Sequence, residues 1–71
     1  MNAIEEIKKS LLESYKWLYT EAIEDMKYCL VLAKKRREQG YRGWAADWLE
    51  DANHAYKRAR DYKRSIEFYS R

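Results

Sequence analysis

The chain contains no proline, and its only two glycines, Gly40 and Gly43, stand close together just past the middle. Proline and glycine are the residues that most disfavour a helix interior. The long stretches on either side are therefore free to run as uninterrupted helices, and in both of them apolar residues recur at helical spacing. The predicted fold is all-α and single-domain: an antiparallel two-helix hairpin with a helix over 3–38, a hinge over 39–43 and a helix over 44–69. The apolar faces are too wide for two helices to cover. The hairpin is therefore expected to complete a helical bundle as a homodimer or higher oligomer.

Local signals set the ends. Asn2, three residues before Glu5, reads as an N-cap with a capping-box partner. Lys34, Lys35, Arg36 and Arg37 suit the negative end of the first helix dipole, and Gly40 is the natural C′ residue. Such a helix is about 54 Å long. Its stripe comprises Ile4, Ile7, Leu11, Tyr15, Leu18, Ala22, Met26, Cys29 and Ala33, widened by Leu12, Tyr19 and Leu30. Trp17, Tyr28 and Val31 lie on its back. The second helix turns Trp44, Trp48, Ala52, Ala55, Ala59, Tyr62 and Ile66 inward, with Ala45, Leu49 and Tyr56 on one shoulder. Alanines at 52, 55 and 59 would let another helix approach closely.

With 71 residues, the chain is of a size at which a core rarely supplies more than about 3–5 kcal/mol unless a disulfide, metal or oligomer helps. One cysteine, Cys29, leaves no intrachain disulfide and fits a reducing compartment. The longest apolar run, Tyr28 to Ala33, is far short of a membrane span, and the first residues lack a signal-peptide core. The expectation is a cytoplasmic protein without a membrane segment. Charge is uneven: residues 1–32 carry a net −2 and residues 33–71 a net +5. Twelve acidic residues against fifteen basic ones leave little surplus for phosphate neutralisation, which argues against extended nucleic-acid binding. There is no glycine-rich phosphate loop, and the lone His54 would have to serve any triad by itself. Enzymatic function is therefore not the leading expectation.

Asp51-Ala52-Asn53-His54-Ala55 resembles the Glu-x-x-His-Ala signature of ferritin-like di-iron proteins. Glu21 precedes Asp51 by 30 residues, with Tyr28 seven further on, a spacing similar to that of the encapsulated ferritins. Those are two-helix chains that build an iron site across a dimer. The resemblance covers roughly residues 20–58 and implies iron binding and ferroxidase chemistry, with Glu21, Asp51 and His54 as ligands. Asp shortens the family's Glu by one methylene, and the turn near Gly40 sets Glu21 and Asp51 at different heights in one hairpin. Asp25 is better placed to meet His54. The alternative pairing is Asp25 with Arg58.

A second candidate site lies at the hinge, where Arg37, Tyr41, Arg42 and Trp44 gather beside Lys34, Lys35 and Arg36. Guanidinium groups grip phosphate bidentately and rings stack on bases. In size and architecture the chain is similar to small helical phage proteins that sequester nucleotide signals. The leading functional expectation is a non-enzymatic, homo-oligomeric binding protein without a cofactor. It would capture a partner protein or a small anionic, nucleotide-like ligand through these aromatic and basic side chains. The runner-up is the iron-binding half-bundle, and a third option is an inhibitor of an enzyme.

Overall fold

A computed structural model of the protein describes residues 2–71. It contains two helices, α1 (Ala3–Glu38) and α2 (Arg42–Tyr69), packed antiparallel in a rod of 58 × 13 × 13 Å. Among the described residues there is no strand, and no helix is long and apolar enough to cross a membrane.

The ends of α1 follow from the chain's own signals. Asn2 adopts extended backbone, and its Oδ1 accepts the Glu5 N–H at 2.8 Å, satisfying one of the donors a helix start leaves open. At the other end Gly40 takes φ +89°. Its N–H donates to the Arg37 carbonyl at 3.0 Å, and the Tyr41 N–H donates to the Arg36 carbonyl at 2.9 Å. This pair of bonds is a Schellman motif, and the left-handed residue it needs is the one glycine suited to supply it. The motif reverses the chain within Gln39–Tyr41, so α2 begins at Arg42 and not at 44. Gly43 is therefore inside the first turn of α2, where an added Cβ would meet only open space.

The core between the helices is thin. Its buried residues are Ala22, Cys29, Ala33, Ala45, Ala52, Ala55 and Ala59, and no large side chain is fully buried. The expected alanine stripe is present, and it brings the helices close at the expense of buried apolar area. Larger residues close the open end of the hairpin. Tyr15 stacks on Tyr69 with centroids 5.7 Å apart, and it lies 6.2 Å from Tyr62. Near the hinge end, Tyr28 meets Trp48 edge-on at 6.1 Å.

Three inward expectations are corrected. Ile4 and Ile7 are 66% and 58% exposed. At 36 residues against 28, α1 outruns α2 by about 12 Å, and its first turns overhang the end of the partner helix. Trp44 is 55% exposed because the tight hinge starts α2 earlier and turns its first residues outward. Trp17 and Val31 are exposed on the back of α1, whereas Tyr28, expected there too, turns to the side and meets Trp48 of α2.

Candidate functional site

The hinge brings the four predicted ligand residues into two groups. Arg37 and Arg42 line one groove of about 310 Å³ together with Ala45, Ala46 and Leu49. Arg37 also lines the adjoining groove formed by Leu30, Ala33, Lys34, Ala45 and Leu49. Tyr41 and Trp44 line neither. They pack edge-on against each other at 5.5 Å, and the Arg36 guanidinium sits 4.9 Å from the Trp44 ring centroid. A cation over an indole in this geometry is worth about 0.5–1 kcal/mol at an exposed site.

The hinge cations therefore differ in availability. Arg36 donates from one terminal nitrogen to the Gln39 side chain at 2.9 Å, while its Nε is covered and has no acceptor. It is committed to the turn. Arg37 and Arg42 form no ion pair among the described residues. Beside them, α2 starts without a side-chain cap and without an acidic residue in its first turn. Its open amides and positive dipole end add to the field of the two guanidinium groups. Leu49, Ala45 and Ala46, which supply the apolar wall, were not singled out as site residues from sequence. Their 4-3 spacing from Arg42 was the available signal.

On the other long side of the hairpin, Asp25, Asp51 and His54 line a single open groove of about 240 Å³ with Tyr28, Cys29, Ala55 and Arg58. Glu21 lies in the next groove along, which it shares with Leu18, Ala22, Asp25, Arg58 and Tyr62. Arg58 runs between the two and approaches Asp25 at 3.6 Å, the pairing expected as the alternative to metal binding. Both side chains are about half exposed, so the pair contributes about 0–1 kcal/mol. Among the described residues no three His, Cys, Asp or Glu side chains come close enough to hold one metal ion. A single hairpin does not fit the di-iron ligand set, whose carboxylates and histidines must converge, and here a guanidinium occupies the middle of the groove.

Cys29 is buried beneath the same groove. Burial pushes its thiol up from the ordinary value; the carboxylates of Asp51 and Asp25 add to this and Arg58 opposes it. A thiol held protonated in this way is a poor nucleophile.

Comparison with known protein families, characterised proteins and solved structures finds no match to this chain. The functional reading accordingly rests on these two grooves and on the thin core between them.

Proposed function

We propose that this protein is a non-enzymatic, self-associating helical binding protein that holds a small anionic, nucleotide-like ligand at the hinge end. The observation that carries the reading is the convergence of Arg37 and Arg42, neither paired with a carboxylate, on one groove at the uncapped start of α2. Two guanidinium groups beside a helix N-terminus offer charge-assisted donors to phosphate oxygens. Ala46 gives an apolar surface against which a sugar or base can rest. Self-association is supported by the core itself. Among the described residues those fully covered are six alanines and one cysteine, the larger apolar side chains being only partly covered, and small domains with so thin a core ordinarily gain stability from an oligomer.

Thermal unfolding in the presence of ADP and of pyrophosphate tests the ligand. A stabilisation that saturates with concentration and is lost in Arg37→Ala and Arg42→Ala supports it. No shift with either anion, or a shift that survives both substitutions, contradicts it.

The alternative is a ferritin-like iron site completed between two hairpins by Asp51, His54 and either Glu21 or Asp25. The groove shared by Asp25, Asp51 and His54 favours it, and it requires the second copy to lie on that side. Iron retained after purification, with a melting temperature that falls on chelation or in His54→Ala, would establish it in place of the anion reading. A bare protein that co-purifies with a larger enzyme would instead point to an inhibitor.

A further inference from the structure

Each helix carries two interleaved rows of residues at alternating four- and three-residue spacing. One row on α1, through Leu11, Tyr15, Leu18, Ala22 and Cys29, faces α2 and is used up by the hairpin. The second row lies a quarter-turn round, through Leu12, Lys16, Tyr19, Ile23, Met26 and Leu30, with Lys16 its one charged member. On α2 the corresponding positions are Leu49 and Tyr56, which flank the buried Ala45, Ala52 and Ala59. The groove shared by Leu30, Ala33, Ala45 and Leu49 shows that the two second rows border each other on one side of the rod. This side is apolar along most of its length and uncovered: Leu30, Leu49 and Tyr56 are 44%, 51% and 52% exposed. A row at this spacing is the pattern by which one helix seats side chains between those of another.

We infer that this second seam is covered by a second copy of the chain, laid antiparallel so that the two hinges lie at opposite ends of a four-helix bundle. The inference rests on the self-association proposed above and adds the face and the orientation. Surface area argues for a copy-sized occupant. The accessible surface is 5861 Å², whereas a compact monomer of 8.7 kDa exposes about 4,700 Å². The excess, roughly 1,100 Å², exceeds the ~800 Å² per partner that a standard stable interface buries. The radius of gyration, 16.4 Å against about 11 Å for a compact chain of this length, says the same of shape.

Charge sets the orientation. In a two-fold pairing with hinges at opposite ends, α1 lies on α1 of the partner and α2 on α2. The basic last turn of α1, with Lys35, Arg36 and Arg37, then lies at the opposite end of the bundle from the same turn of the other copy. A hinge-to-hinge pairing would instead set two basic clusters side by side. The two-fold axis passes near Ile23 and Tyr56, each close to the middle of its helix. Asp51 and His54, on the other side of the rod, stay outside this interface.

Tyr56 and His54 are two residues apart on α2 and belong to opposite sides, so cysteines at these positions read the face directly. In a Cys29→Ala background, a short bis-maleimide is expected to cross-link Tyr56→Cys into a covalent dimer and to leave His54→Cys monomeric. Because the reagent reports on the folded assembly, circular dichroism of each variant accompanies it, and a variant that has lost its helix signal is replaced by Ile23→Cys or Asp51→Cys respectively. Nitroxide labels on Gln39→Cys are expected roughly 50 Å apart, slightly less than the 58 Å rod. Cross-linking through His54→Cys, alone or together with Tyr56→Cys, overturns the assigned face while leaving self-association standing. An oligomer that cross-links at neither position also overturns it. A separation of about 20 Å or less, two helix diameters, overturns the antiparallel order. A monomeric mass overturns both this inference and the self-association beneath it.

Discussion

The two long sides of the hairpin are built from the same two helices, yet they differ in kind. One carries Leu12, Tyr19, Ile23, Met26 and Leu30 beside Leu49 and Tyr56, with Lys16 the one cation within its row. The other carries Glu21, Asp25, Asp51, His54 and Arg58 in two open grooves. An apolar seam left in water is a driving force for association, whereas a half-exposed ionic groove is already solvated and gains little from being covered. The residues with the most conspicuous chemistry therefore lie on the side that needs a partner least. On the proposed reading each side has a separate role: assembly on the apolar one, solvent and surface ion pairing on the other, and anion capture at the hinge where the apolar seam ends.

The sharpest way to break this contrast is to place a charge on each side in turn. Leu30→Glu or Tyr56→Glu should dissociate the assembly by a hundredfold or more, because a carboxylate buried without a partner costs several kcal/mol. Sedimentation across a concentration series would show it. Asp51→Ala and His54→Ala should leave the assembly mass unchanged. If these last two dissociate it instead, the roles of the sides are reversed.

Enlarging the thin core is the next test. Ala55 is 1% exposed between the helices, so Ala55→Leu should force them apart and destabilise by about 1–3 kcal/mol. Chemical denaturation measures this, and an increase in stability would mean that the core is not close-packed.

Smaller effects belong to the hinge. Gly40→Ala should cost about 1 kcal/mol, since φ +89° is strained for any residue with a Cβ. Gly43→Ala should gain about 0.4–1 kcal/mol, because its Cβ would meet open space inside a helix. Opposite signs at two neighbouring glycines would confirm that only one of them makes the turn. The smallest change expected is at the ionic groove. Arg58→Ala should shift stability by less than about 1 kcal/mol, and that shift should shrink further in high salt.

Much of the fold was legible in the sequence for physical reasons. The bounds of α1 follow from Asn2 and Gly40, each of which satisfies backbone groups that the helix cannot satisfy itself. The alanine stripe at 52, 55 and 59 announced a close approach, and the three residues are buried. The pairing of Asp25 with Arg58 was readable from antiparallel register alone. What sequence did not reveal depends on the hinge. Helical spacing says which residues share a face but not how a three-residue turn rotates one helix against the other. That rotation divides the hinge cluster, sending Arg37 and Arg42 to one groove while Tyr41 and Trp44 pack with Arg36. The overhang of Ile4 and Ile7 likewise depends on the unequal lengths of the helices, which the pattern within either helix does not contain.

A hairpin whose fully covered residues, among those described, are alanines and one cysteine is proposed not to stand alone, and the most direct test is its mass in solution. Light scattering on the eluting protein over a range of micromolar concentrations should give an even multiple of 8.7 kDa, with a melting temperature that rises with concentration. A folded, cooperatively melting species of 8.7 kDa at every concentration would contradict the account.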